Sequence, residues 1–189
     1  QADAESFGLA VAENLAEKGY CMVQTFVDEP ERKDALSRAN SIKDTEEYRL
    51  ELEPDYLGRK NVTNAKKLQQ DTPDSVPMDA LARCNHQLTE LGLLLYPLAP
   101  DYLGFNAASH SKAVARVKFS SKAEMEKSKP GALLEEDVEE GMVKNHILFL
   151  QTRKICMLYM VNGGGGEVTL HPKEGRDVVL PAGVNKLLL

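Results

Sequence analysis

Histidines are the side chains in this sequence best suited to hold a catalytic metal ion. Two imidazoles and one carboxylate on one side of Fe(II) form a facial triad, which leaves positions open for a cosubstrate and oxygen. No histidine of this chain has an acidic residue two positions later. The four contexts are His86-Gln87-Leu88, His110-Ser111-Lys112, His146-Ile147-Leu148 and His171-Pro172-Lys173.

Other residues that could take part in catalysis or binding are better explained by structural roles. The acidic residues between Glu135 and Glu140 could bind a cation, but a solvated acidic loop is favoured. The glycines from 163 to 166 lack the Gly-Lys-Ser/Thr ending of a phosphate loop. No Gly-x-Ser-x-Gly motif or Cys–His nucleophile pair is present. Three widely spaced cysteines in apolar stretches are predicted to be free thiols in a reducing compartment, with an organelle such as a plastid as one setting: Cys21, Cys84 and Cys156.

Size and charge narrow the possible functions. A chain of 189 residues suits one domain. Its net charge of −6 argues against nucleic-acid binding, which needs clustered Lys and Arg, and suits a basic protein partner. No apolar segment approaches about 18 residues, so no membrane-spanning helix is predicted.

The N-terminal half is predicted to be mainly helical. Apolar residues four apart predict a helix over 4–18, and a strand follows over 20–27. A second helix starts at Asp28 and runs to about Ala39. A polar excursion over 40–76 separates it from the strongest helix prediction, 78–95.

The C-terminal half has the pattern of strands. Residues 114–119 alternate between apolar and charged side chains, and 120–141 are predicted to form a charged loop. The later strands are predicted over 145–151, 153–161, 167–171, 176–180 and 184–189. Helices followed by short sequential strands predict an α+β fold with an antiparallel core.

Residues 153–189 carry the most specific motif. It is an Arg-led strand ending in Tyr159-Met160-Val161-Asn162, then Gly165-Gly166-Glu167 before a short strand, then Pro181-Ala182-Gly183 before an apolar strand. This resembles the central strands of the 2-oxoglutarate/Fe(II)-dependent oxygenase superfamily, of the prolyl-hydroxylase type. The resemblance implies a double-stranded β-helix, or jelly-roll, core with N-terminal supporting helices. One domain over 1–189 would then comprise a helical support region, 1–113, and a β-core, 114–189.

The metal site of that family is incomplete in this sequence. The resemblance places the first two ligands in a His-x-Asp or His-x-Glu unit before the Arg-led strand. His146 lies nearest that place, but Leu148 stands where the acid is expected, and leucine cannot ligate a metal. The second histidine and the basic residue for 2-oxoglutarate come later in the family, so they are expected only if the natural protein continues past Leu189.

The sequence therefore predicts a non-catalytic scaffold or accessory subunit with no catalytic residues, no cofactor, and His146 as a weak metal candidate. An incomplete jelly roll would leave an open strand edge, which makes Leu187, Leu188 and Leu189 candidates for contact with a partner protein. The first alternative is an active hydroxylase that uses Fe(II) and 2-oxoglutarate, with ligands beyond Leu189 or at atypical positions such as His146 with Glu140 or Asp137. The second is a β-sandwich interaction domain unrelated to oxygenases.

Overall fold

The computed structural model describes residues 2–42, 64–68, 78–107, 109–111, 113–127, 132–163 and 165–189. The chain forms two compact units. The first comprises Gln1–Leu36, Val76–Ser111 and Ile155–Leu189, and the second comprises Ser37–Ser75 and Lys112–Lys154. Each unit draws on both sides of the predicted boundary between 113 and 114.

The first unit begins with two helices whose ends follow from the sequence. Helix α1 spans Ala2–Lys18, and Gly19, at φ 75°, ends it by donating its N–H to the carbonyl of Leu15. Helix α2 spans Glu29–Ser41 and continues into the second unit. The carboxylate of Asp28 accepts the N–H of Glu31 at 2.8 Å, so Asp28 is the N-cap, as predicted.

The long central helix of the first unit is also confirmed. Helix α3 spans Ala80–Leu95. The Asp79 carboxylate accepts the N–H of Ala82 at 2.8 Å and caps the first turn. A π-helical turn over Ala99–Leu103 follows, and it ends at Gly104 in the left-handed conformation.

Three short strands form the main sheet of this unit. They are β1 (Met22–Gln24), β4 (Leu158–Met160) and β7 (Lys186–Leu188), in the order β1-β7-β4 with both pairings antiparallel. Beyond the strands, Cys21 and Leu189 exchange both backbone hydrogen bonds. A separate antiparallel hairpin joins β5 (Glu167–Leu170) to β6 (Val178–Pro181).

The core of the first unit lies between this sheet and two helices. The buried cluster takes Val11 and Ala12 from α1, Leu91 and Leu95 from α3, and Leu187 and Leu189 from the C-terminal strand region. Half-buried Ile155, Met157 and Tyr159 pack against it. The helices over 4–18 and 78–95 therefore pack on one face of the sheet, as predicted.

The second unit contains small elements with their own local contacts. Strands β2 (Ala65–Lys67) and β3 (Val114–Arg116) pair antiparallel. Three helices follow: α4 (Lys122–Lys127), α5 (Glu135–Glu139) and α6 (Met142–Thr152). Gly141, at φ 76°, forms the turn between α5 and α6. Most of the polar excursion over 40–76 lies outside the described residues.

Two predictions for this part of the chain are wrong. The strand predicted over 145–151 lies inside helix α6, because Val143, Ile147 and Leu150 follow the i, i+4, i+7 spacing of one helix face. The loop predicted over 120–141 contains α4 and α5. Ser121 starts α4 by accepting the N–H of Glu124 on its hydroxyl, a local cap that the high charge of the segment obscured.

The predicted place of the 153–161 strand also needs correction. Because its residues are apolar on both faces, the sequence predicts a strand buried in the middle of a sandwich. Only Leu158–Met160 is a strand, however, and Leu158 is 41% exposed. The central, doubly buried strand is β7 instead, because Leu187 and Leu188 project to opposite faces and are both buried.

The described residues thus form a mixed helix-and-sheet protein with small antiparallel sheets, consistent with the predicted α+β class. Within this part of the chain, no helix is long and apolar enough to cross a membrane.

Candidate functional site

The four histidines lie in separate local environments. His86 is exposed on α3, with its Nε2 3.9 Å from the carboxylate of Glu90. The Nδ1 of His110 lies 3.1 Å from the hydroxyl of Tyr96, and the Nδ1 of His171 lies 2.9 Å from the carboxylate of Asp177. His146 is half-buried on α6.

Asp137, one of the two acids suggested as partners of His146, has a structural role. Asp137 is buried, and its carboxylate accepts the backbone N–H of Leu134 at 2.8 Å, which fixes the start of α5. Among the residues that the structure describes, no three His, Cys, Asp or Glu side chains are grouped so as to hold a metal ion.

A polar cluster ties β1 to the residues before β7. The hydroxyl of Thr25 lies 3.0 Å from the Tyr159 hydroxyl and 3.0 Å from the carbonyl oxygen of Asn185. Because a carbonyl only accepts, the Thr25 hydroxyl donates its hydrogen bond to the Asn185 carbonyl and accepts one from the Tyr159 hydroxyl. The Asn185 side-chain amide donates to the carbonyl of Val27 at 2.8 Å. These bonds connect residues more than 130 positions apart, so no local sequence signal could have found them.

The conformation and titration of this cluster favour a structural role. Asn185 has φ 60°, a left-handed conformation that asparagine tolerates better than most residues. Its side-chain oxygen is buried and has no hydrogen-bond partner among the residues that the structure describes. Burial raises the pKa of Tyr159, so its hydroxyl stays neutral at neutral pH and acts as a hydrogen-bond donor.

The thiol of Cys84 lies beside an ion pair but is not activated by it. The Arg83 guanidinium binds Glu31 at 2.6 Å and donates a second hydrogen bond to the carbonyl of Met78. Burial first, and then the negative charge of Glu31, raises the pKa of Cys84. A protonated, buried thiol is a poor nucleophile.

The three thiols are therefore expected to react with iodoacetamide at different rates. Cys156 is exposed and should be alkylated first in the native protein. Cys21 should follow, and Cys84 should be slowest, because burial raises the pKa of both thiols and leaves less thiolate near neutral pH. Mass spectrometry of peptides from a quenched time course measures the three rates. In urea the three thiols should react at similar rates. Similar rates in the native protein as well would contradict the burial of Cys21 and Cys84.

The predicted open edge at Leu187, Leu188 and Leu189 is wrong. Strand β7 pairs with β1 on one side and β4 on the other, and Leu189 pairs with Cys21. The three side chains are only 5–7% exposed. The structure therefore removes the reason for expecting them to contact a partner, because pairing across distant segments cannot be judged from local hydrophobicity.

An exposed apolar surface lies instead on the second unit. We call it the α5–α6 surface, and it consists of Leu133, Leu134, Val138, Ile147 and Leu150. Leu148 is equally exposed but lies about 160° around α6 from Leu150. Each of these side chains is about half exposed or more, and Val138 reaches 61%. No residue of α6 is buried. The exposed glutamates of α5 and the following turn adjoin it: Glu135, Glu136, Glu139 and Glu140.

The sequence prediction missed this surface because it assigned 120–141 to a loop and 145–151 to a strand. The helical spacing of Val143, Ile147 and Leu150 was the signal that could have revealed it.

Comparison of the chain with protein-family models, with curated proteins and with solved structures found no match.

Proposed function

We propose that this chain is a non-catalytic member of the oxygenase-like fold that acts as a scaffold or accessory subunit and binds a protein partner. The observation that carries the fold part of the proposal is a nested strand pairing. Strands β4 and β7 pair with each other, and the segment between them forms the β5–β6 hairpin in a different sheet. A jelly roll is a long hairpin folded over so that successive pairs alternate between two sheets, and nested pairing of this kind is one step of it.

The turns formed by the glycines of the 153–189 motif support the proposal. Gly165 and Gly166, both at positive φ, lead into β5. Ala182 donates its N–H to the carbonyl of Gly166, which joins the start of β5 to the turn after β6. That turn follows Pro181, the last residue of β6, contains Gly183 and leads towards β7.

The N-terminal elements also support this assignment. Helix α1, strand β1 and helix α2 follow one another, and α3 contributes Leu91 and Leu95 to the core under the β1-β7-β4 sheet. This is the support that the resemblance implies for the N-terminal helices.

The donor set of this chain does not fit an iron site of the family type. Leu148 occupies the position of the expected carboxylate, and it lies on α6 with a half-exposed side chain. Asp137, one of the two acids considered with His146, already accepts the N–H of Leu134 at the start of α5. The proposal therefore assigns no step to iron or 2-oxoglutarate.

The protein-binding part of the proposal is supported by the α5–α6 surface. A run of half-exposed leucine, isoleucine and valine side chains is unfavourable in water and is typical of interaction sites. The exposed glutamates of α5 beside it favour a partner of opposite charge.

An oxygenase assay tests the non-catalytic part. With Fe(II), ascorbate, 2-oxoglutarate and oxygen, the purified chain is expected to form no succinate above a protein-free control. It should also show no metal-dependent rise in melting temperature with Mn(II) and 2-oxoglutarate, because Leu148 stands in place of the expected carboxylate ligand.

The His146→Ala variant is the control for adventitious iron. Sustained succinate formation that disappears in this variant would favour the alternative, an active hydroxylase with ligands at atypical positions.

A further inference from the structure

We infer that the α5–α6 surface docks a basic amphipathic helix of a partner protein. This inference rests on the proposed protein-binding function and specifies the surface and the chemistry of its partner. The spacing of the apolar side chains, their exposure and the charges beside them support this inference.

The apolar residues of α6 fit one side of a helix–helix contact. At 100° per residue, Val143, Ile147 and Leu150 lie within an arc of about 60°. The helix is about 16 Å long, so these three side chains cover two of its turns. The same i, i+4, i+7 spacing provides the anchors where one helix packs along another.

The other members of the surface extend this contact onto α5. Val138 lies on α5, and Leu133 and Leu134 lie in the segment that leads into it. Asp137 holds this segment in place through its bond to the Leu134 N–H, so the apolar side chains are presented by an ordered element. Since the whole surface remains exposed in this chain, an apolar face from outside would remove it from water.

The adjoining charges select a basic partner. Glu135 and Glu139 are exposed on α5 beside the apolar residues, and Lys144 is the one lysine or arginine within α5 and α6. Arg153, directly after α6, stacks on the ring of Phe149. A partner helix could pack leucines of one face against the apolar residues, and lysines or arginines at the borders of that face could bind the glutamates. A second copy of this chain would bring like charges together, and an anionic membrane or nucleic acid would be repelled.

A model peptide tests the inference directly. The probe is a fluorescein-labelled peptide of leucine and lysine, about 18 residues long and patterned as an amphipathic helix. Fluorescence anisotropy is expected to show saturable binding to the 189-residue chain, and weaker binding of a peptide with the same composition in scrambled order.

Substitutions then locate the binding surface. The double variant Ile147→Asp/Leu150→Asp is expected to weaken binding by about tenfold or more, because two apolar anchors are lost. Leu93→Asp is a matched control, since Leu93 is 51% exposed on α3 and Leu150 is 49% exposed on α6. This control should bind within about twofold of the original chain. Melting curves confirm that each variant is folded.

A second pair of variants separates local from general charge attraction. Glu135→Lys/Glu139→Lys should weaken binding and reduce its salt dependence between about 50 and about 300 mM. Glu13→Lys/Glu17→Lys on α1 changes the net charge equally and should have a clearly smaller effect.

Three results would overturn the inference. They are no binding of the amphipathic peptide, equal losses in the test and control variants, and a concentration-dependent dimer that Ile147→Asp/Leu150→Asp abolishes. The third result would assign the surface to a second copy. The succinate assay is independent of all three, so an error in the proposed non-catalytic role would be recognised separately.

Discussion

Leu95→Ala is expected to lower the free energy of unfolding by about 2–5 kcal/mol. Leu95 is 1% exposed and lies in the cluster that joins α1, α3 and the residues of the C-terminal strand region. Its truncation removes apolar contacts with all three, and close-packed neighbours relax only partly into the space that is left.

Urea unfolding followed by circular dichroism measures this loss, and Leu158→Ala is the matched control. Leu158 is 41% exposed, so its truncation should cost about 1 kcal/mol or less. Similar losses for the two variants would mean that the core is not centred on Leu95, and that β4 is as deeply buried as its sequence suggested.

The helices of the first unit could be predicted because their signals are local. Gly19 and Asp28 mark a helix end and a helix start. Gly19 acts through its backbone N–H and Asp28 through its carboxylate, each on a backbone group within four residues. The apolar stripes were less informative about how deeply each side chain is buried. Val11 of the α1 stripe is buried, whereas Phe7 of the same stripe is 42% exposed. Periodicity identifies the face of a helix that packs, but the partner decides which turns are covered.

Strand positions within the sheet could not be predicted because pairing is not local. The 153–161 segment and β7 are both rich in apolar residues, and either could have been the central strand. Strand β7 is central because Val23 of β1 pairs with Leu187, and these two residues come from opposite ends of the chain. A single sequence contains no information on such pairing beyond hydrophobicity.

The candidate surface could be predicted only in part. The acidic residues over 135–140 are visible in the sequence, but the apolar residues beside them were assigned to a loop over 120–141 and a strand over 145–151. Leu148 illustrates the problem, since its sequence position argued against a metal ligand while its exposure became visible only in the structure. Whether a leucine belongs to the core or to a surface depends on neighbours distant in sequence.

Leu187→Asp is expected to destabilise the protein by about 4 kcal/mol or more, enough to prevent stable folding in many domains of this size. Leu187 lies on the central strand, faces the cluster of α1 and α3, and is 6% exposed. The side chains of that cluster are apolar, so a carboxylate there would lose its hydration without gaining an ion pair.

The effect of pH identifies the cause of this loss. Burial raises the pKa of a carboxyl group, so the native Leu187→Asp protein would bind a proton that the unfolded chain releases near neutral pH. Its stability should therefore rise as pH falls from 7 towards about 4, relative to Leu187→Asn, whose side chain has a similar size and no charge. Leu93→Asp should change the free energy of unfolding by about 0.5 kcal/mol or less, since Leu93 is half exposed. An equally small change for Leu187→Asp would place this strand at an exposed edge and restore Leu187 as a candidate contact for a partner.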